Sequence, residues 1–268
     1  MTARTTRTAE EVLPLGRLLG YRAGATTRSY RSAWAKSAAT VADWLTMCER
    51  PYISVSGGKD STAMACVVAS VRPGLPMVHV CSELDLPDNC AVVHELARRL
   101  GSPLILATPE HDPWEWIASF DGDITDQAND SRSDADKLFF FEPLERVVRE
   151  HGFDGHAMGL RKDESVHRLR NRMRNGLVYR HQGLGRAVCT PIADWPARWV
   201  LATICAHDMP LSPIYGLAQL APDPEKIREG WWLPGKASRW GQAVWLRYYY
   251  RDIWQRLIAV RPELRRLG

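Results

Sequence analysis

YISVSGGKDSTAMACVVASV, residues 52–71, is the stretch on which the reading of the chain turns. Residues 52–55 are aromatic and β-branched and end in front of a glycine pair, the pattern of a short buried strand. Residues 61–71 are small and apolar and suit a helix packed closely on a sheet. Between them, Gly57 and Gly58 let the backbone turn sharply and approach a ligand without a Cβ in the way. The helix that follows offers free N–H groups and a partial positive charge to a phosphate. Lys59 adds a mobile point charge, and Ser56 and Ser61 add hydroxyl donors. Asp60 opposes an anion unless it holds a cation or positions the loop. The glycines abut the lysine, so this is not the G-x-x-x-x-G-K-[ST] loop of the common nucleoside triphosphatases.

Outward from this loop the same alternation continues. Residues 39–50 read as an amphipathic helix, 76–81 as a second strand, 89–100 as a helix stopped by Gly101, and 103–107 as a third strand. Strands separated by helices imply parallel pairing through crossovers. Residues 110–136 break the rhythm with nine acids against Arg132 alone, and read as a mobile surface loop or lid. A calcium loop is excluded there, because Asp126 and Arg132 stand where such a loop needs Gly and Glu. Residues 142–151 then read as a helix and 155–160 as a fourth strand. The expected division is an N-terminal extension over 1–38, a nucleotide-binding domain over 39–216 and a basic, aromatic helical extension over 217–268.

Composition narrows the class. The chain has 268 residues, 45% hydrophobic and 25% charged, which excludes a disordered or collagen-like protein. No apolar run reaches the roughly 18 residues of a membrane helix, and no secretory leader follows Met1. The six cysteines are scattered without a C-x-x-C pair, so neither zinc nor an iron–sulfur cluster is expected, and the protein reads as cytoplasmic. The net charge of +4 conceals two basic stretches. Residues 159–186 carry eight basic residues against two acids, and residues 226–268 carry ten against three. Arg168, Arg170, Arg172 and Arg174 cannot share one helix face, which points to an arm wrapped on an anion. The tail interleaves arginines with Trp231, Trp232, Trp240, Trp245, Tyr248, Tyr249, Tyr250 and Trp254. That mixture suits a nucleic-acid strand or a helix packed on the domain.

SGGKDS resembles the PP-loop of the ATP pyrophosphatase (adenine nucleotide α-hydrolase-like) superfamily. Three further stretches are similar to its phosphoadenosine phosphosulfate reductase-like branch. They are SELDLPD at 82–88, GLRKDES at 159–165, and PIADW at 191–195 followed by LSPIY at 211–215. The resemblance implies an α/β fold, a mostly parallel twisted sheet with helices on both faces, with nucleotide at the carboxyl ends of the strands. It implies nucleotide contacts from Ser56, Gly57, Gly58, Lys59, Asp60, Ser61, Ser82, Glu83, Gly159, Arg161, Glu164 and Arg168. Lys59, Asp60 and Arg161 would be catalytic, with Asp60 also a ligand for Mg²⁺, and Ser82 and Glu83 would line the adenosine pocket. Asp194 and Trp195 either pin a turn or touch ligand.

One family element is absent from this sequence. The reductases resemble one another in a C-terminal E-C-G-L-H motif, and here no cysteine follows Cys205. Cys81 ends the second strand and reads as a small buried residue rather than a nucleophile. The expected activity is therefore cleavage of ATP to AMP and pyrophosphate, adenylating an acceptor for sulfur transfer, with ATP and Mg²⁺ as cofactors. DNA phosphorothioation is the expected context, with DNA and a cysteine desulfurase as partners and oligomeric state left open. A sulfonucleotide reductase and a non-catalytic nucleotide-binding scaffold are the alternatives.

Overall fold

A computed structural model describes residues 6–120, 131–217, 223–228 and 245–267. The chain divides into two compact units. The first comprises Met1–His79, Pro87–Leu106 and Val148–Arg228, and the second Val80–Leu86, Ala107–Val147 and Glu229–Gly268.

A six-stranded sheet organises the fold, with strands β1 (Pro51–Ser54), β2 (Met77–Val80), β3 (Leu104–Ala107), β4 (Gly155–Met158), β5 (Val178–His181) and β6 (Arg186–Cys189). Their spatial order is β3-β2-β1-β4-β6-β5. β1 pairs in parallel with β2 and β4, and β4 with β6, so the expected mostly parallel sheet is present. β5 is antiparallel to β6, a hairpin that hydrophobic patterning misses because its residues VYRH sit inside the arginine-rich stretch. The order places β1 between β2 and β4, where chain direction across the sheet reverses, and the glycine loop leaves β1 at that point.

Helices surround the sheet. They are α1 (Ala9–Val12), α2 (Leu15–Ala25), α3 (Arg28–Leu45), α4 (Lys59–Val71), α5 (Pro87–Leu100), α6 (Pro113–Ser119), α7 (Ser131–Asp136), α8 (Glu142–His151), α9 (Val166–Asn175) and α10 (Ala197–Ala206). In α4 the residues Ala63, Met64, Ala65, Val67 and Val68 are wholly buried, as its small apolar sequence requires for close packing. It packs against α3 and α10, and α10 packs on α2. The stretch before residue 39 is therefore largely helical.

α3 begins at Arg28, not at residue 39, because its first half is anchored by hydroxyls rather than by aliphatic side chains. The Thr27 hydroxyl caps it by accepting from the Tyr30 N–H at 3.3 Å. Tyr30 bonds Thr203 at 2.8 Å, and the Ser37 hydroxyl donates to the Pro191 carbonyl at 2.7 Å. Hydroxyl anchors of this kind carry no apolar period of their own. The helix ends at Leu45, short of residue 50, with Thr46 as its C-cap. Trp44, fully buried, fixes this end by donating from Nε1 to the Ala187 carbonyl at 2.9 Å.

In the second unit the acidic stretch is not simply a loop. Asp112 caps α6 by accepting from the Trp114 N–H at 2.7 Å. Ser131–Asp136 starts a helix that continues through a π-turn at Lys137–Phe141 into α8. Residues 121–130, where much of the acidic lid was expected, lie outside the described residues. Trp254, Leu257 and Leu264 bury the apolar side of the helix Arg251–Val260 and the turn after it. Trp231, Trp232 and Trp240 lie outside the described residues.

Tyr52 and His156 face each other across β1 and β4 and stack at 4.5 Å between ring centroids. Burial, with the nearby Arg186 charge adding to it, pushes the His156 imidazole from 6.5 down to about 3. Between those values the unfolded chain binds a proton that the native state refuses, so stability rises with pH across this window. Lowering the pH below 6.5 therefore costs the native state about 1.4 kcal/mol per unit through this one residue. In His156→Phe that contribution vanishes, and the difference in urea-unfolding free energy between parent and variant changes steadily below pH 6.5. A difference independent of pH would refute the assignment.

Candidate functional site

The glycine loop of the first unit is built by three close constraints. Gly57 has φ of +79°, and a Cβ on it would lie 2.5 Å from the Asn89 carbonyl oxygen of α5. Gly57 is thus demanded both by backbone conformation and by the approach of a neighbouring helix. The Ser61 hydroxyl accepts from the Ser56 N–H at 3.1 Å and donates to the Gly58 carbonyl at 3.0 Å, closing the loop on itself. Ser56 is exposed, while Ser61 is buried.

Gly159, which follows β4, is the third constraint. A Cβ there would sit 2.7 Å from the Asp60 carbonyl oxygen and from the Ser61 nitrogen. The absent side chain lets the β4 loop touch the start of α4, and brings Arg161 onto the glycine loop. Gly159 therefore acts through backbone packing.

Asp60 joins two buried cations. One carboxylate oxygen pairs with Lys59 Nζ at 3.2 Å and the other accepts from Arg161 Nε. Lys59 is 1% exposed and Arg161 4%. Lys59 Nζ also donates to the Ile227 carbonyl at 2.6 Å and lies 5.3 Å from the centre of the Tyr215 ring. The Tyr215 hydroxyl accepts from the Lys59 N–H at 3.2 Å. Lys59 is thus a buried hub rather than the mobile, solvent-facing charge its sequence position suggests. Arg161 continues the network by donating through one terminal nitrogen to both oxygens of Asp163, each at 2.7 Å. Burial opposes the Arg161 charge, but Asp60, Asp163 and Glu164 outweigh it and hold its pKa above the ordinary guanidinium value.

Glu164 accepts from the Arg161 N–H at 3.1 Å and pairs with Arg168. Asp194 accepts from Lys162 at 3.0 Å and from Arg172 at 2.7 Å. Burial would raise the Asp194 pKa, but these two cations lower it below the ordinary carboxylate value. Asp194 and Trp195 therefore pin structure. Trp195 is buried, and its Nε1 donates to Ser37 at 2.9 Å. The alternating arginines of α9 are not a wrapping arm. They form one helix with two faces, on which Arg168 and Arg172 pair inward while Arg170 and Arg174 are exposed and unpaired among the described residues.

Of the expected site residues, Ser56 to Ser61, Gly159, Arg161, Glu164 and Arg168 come together in the first unit. Ser82 and Glu83 follow β2 and belong to the second unit. There the Ser82 hydroxyl accepts from the Leu84 N–H at 3.1 Å, and Glu83 pairs with Arg256 at 3.2 Å. Sequence reasoning misses Asp163, Tyr215 and the Ile227 carbonyl. Tyr215 closes the LSPIY stretch, a signal available for it; nothing marks Asp163 between two other charges, and a backbone carbonyl has no sequence signature.

Every carboxylate of the loop network, Asp60, Asp163 and Glu164, already accepts from a cation. This donor set does not fit a dedicated divalent-cation cage. Among the cysteines, burial pushes Cys66 and Cys205 up to about 12, and burial with Asp154 nearby pushes Cys48 up to about 11. Cys189 is raised by burial as well. Cys81, expected to be a small buried residue, is partly exposed.

The phosphoadenosine phosphosulfate reductase domain model matches residues 50–253. The chain is 25% identical over 169 residues to a phosphoadenosine 5'-phosphosulfate reductase of Alkalilimnicola ehrlichii, covering 62% of this chain and 65% of that protein. It is 25% identical over 167 residues to the Xylella fastidiosa reductase, covering 62% of this chain and 68% of the other. A crystal structure of phosphoadenylyl-sulfate reductase from Candida auris, a phosphate complex, matches with a TM-score of 0.56 at 15% identity. That match covers 82% of this chain and 96% of the other, and shows a shared fold.

Asp60→Asn tests the network directly. It leaves buried Lys59 without its carboxylate and Arg161 with Asp163 alone, and the expected loss of stability is about 3 kcal/mol in urea unfolding. A loss below about 1 kcal/mol, the usual worth of an exposed pair, would show that the cations are satisfied without Asp60.

Proposed function

Because the chain belongs to the phosphoadenosine phosphosulfate reductase domain family, we propose that it is an enzyme of this family that uses ATP to adenylate an acceptor for sulfur transfer. The observation that carries this reading is the state of the cysteines. Reduction of a sulfonucleotide requires a thiolate that attacks sulfur. Burial raises the thiols of Cys48, Cys66, Cys189 and Cys205 and so disfavours the thiolate at four of the six cysteines, Cys81 and Cys90 being the other two. Adenylation requires no thiolate of the enzyme.

In that reaction an acceptor oxygen attacks the α-phosphorus of ATP. The bond to the β-phosphate oxygen breaks, and its electron pair leaves with pyrophosphate. A sulfur nucleophile then displaces AMP from the adenylated acceptor. The protein's task is to hold the phosphates and neutralise charge that builds on the leaving group. The turn at Gly57 and Gly58 brings backbone N–H groups and the start of α4 to the phosphates. Lys59 and Arg161 supply the positive charge, and Asp60 keeps both in register until ATP competes for them. Magnesium enters with the substrate as MgATP, since the loop carboxylates are already committed. A nucleic acid, as in DNA phosphorothioation, is the acceptor we favour, with a sulfur-delivering protein such as a cysteine desulfurase as partner.

A second reading is favoured by the names of the relatives, both phosphoadenosine 5'-phosphosulfate reductases, and by the partial exposure of Cys81. One assay separates the two. Purified protein is incubated with MgATP, with and without DNA or RNA, and with phosphoadenosine phosphosulfate plus a thiol reductant. Metal analysis for zinc and iron accompanies it. We expect AMP and pyrophosphate from ATP, reduced about 100-fold in Lys59→Ala whose fold is verified by circular dichroism. ADP and orthophosphate would count against α–β cleavage. Sulfite release that is lost in Cys81→Ser would replace the first reading by the second.

A further inference from the structure

The second unit contains a cavity of about 490 Å³ lined by Arg247, Tyr248, Arg251, Trp254, Gln255 and Arg265. Its volume lies within the ~300–1,000 Å³ of ordinary ligand sites. Three arginines converge on it, and among the described residues no carboxylate lines it. The other arginines around it show that this is a selection. Arg256 stacks on the Trp114 ring at 4.1 Å and pairs with Glu83. Arg261 is buried, pairs with Glu263 at 2.7 Å and donates to the Phe120 carbonyl at 2.7 Å. Those two hold the unit together, whereas Arg247, Arg251 and Arg265 are exposed and make no ion pair among the described residues. Like charges gathered on one concavity repel, and an anion in that concavity removes the cost. Tyr248 adds an aromatic ring that is 62% exposed, which folding alone does not require of it. The indole of Trp254, largely buried, closes the wall.

We propose that this cavity is a binding site for single-stranded nucleic acid, its arginines taking the phosphodiester backbone and Tyr248 stacking on an unpaired base. Guanidinium forks match phosphate oxygens in pairs, and stacking on an exposed ring is indifferent to base identity. The site therefore holds a strand without reading its sequence. The choice of nucleic acid rests on the acceptor favoured above, but the binding is independent of ATP. The two readings accordingly fail separately: the pyrophosphate assay addresses the glycine loop, and binding without nucleotide addresses this cavity.

The test uses the full chain and a fluorescein-labelled oligothymidylate, with anisotropy read across a salt titration in the absence of ATP. Arg251→Glu/Arg265→Glu should weaken binding at least tenfold. It should also lower the slope of log affinity against log salt, by about 0.7 for each phosphate that is no longer neutralised. Tyr248→Ala should weaken binding about fivefold or more at every salt concentration. Arg98→Glu/Arg170→Glu, an equal double charge reversal on exposed arginines of α5 and α9, should leave binding within twofold of the parent. Circular dichroism confirms that each variant is folded. Absence of binding by the parent, or equal affinity in parent and double variant, overturns the site. Full affinity in Tyr248→Ala together with equal competition by polyglutamate also overturns it, leaving a general polyanion surface.

Discussion

Asp60 lies between Lys59 and Arg161, and both of those cations are removed from water. Burying a charge is costly unless it is paired and hydrogen-bonded, and two buried cations sharing one carboxylate cannot be placed independently. The pairing ties the first turn of α4 to the loop after β4. Through Lys59 it also reaches the Ile227 carbonyl and the Tyr215 ring. Gly159 makes this possible, because any side chain there would meet the backbone of Asp60 and Ser61. The glycine loop is thus shaped from below by an electrostatic clamp and from the side by α5 at Gly57.

The clamp has a chemical consequence. Lys59 and Arg161, paired with Asp60, are charges kept close to the glycine loop without mutual repulsion. Under the proposed reading, an incoming polyphosphate would compete with a single carboxylate for them, its larger charge favouring the exchange in a partly desolvated site. The same logic separates structural from available arginines elsewhere. Arg168, Arg172, Arg256 and Arg261 are tied to carboxylates, so their positions are set by folding. Arg170, Arg174, Arg247, Arg251 and Arg265 carry charge that the described residues do not balance.

The legibility of the sequence varied with the kind of interaction. Parallel strands and small-residue helices were readable because burial imposes a period on apolar residues, as in residues 52–55 and 61–71. The start of α3 was not, since Tyr30 and Ser37 are anchored through hydroxyls that carry no period. The β5–β6 hairpin was hidden by charge, and the arginines of α9 were misread as an arm because their two-residue spacing conceals an i, i+4 pairing on opposite faces. Asp194 and Trp195, ambiguous between ligand contact and turn, fell on the structural side once their partners Lys162, Arg172 and Ser37 were in view.

By itself the sequence determined the strand–loop–helix at residues 52–71 and the mostly parallel sheet. Those features follow from local backbone freedom at glycine and from apolar periodicity, both written in consecutive residues. Only the tertiary structure decided that Lys59 is buried and bound to Ile227, that Gly159 serves packing, and that three arginines of the tail share a cavity. Each depends on residues distant in the chain meeting in space, and the burial that sets charge, pKa and partner choice is a property of that meeting.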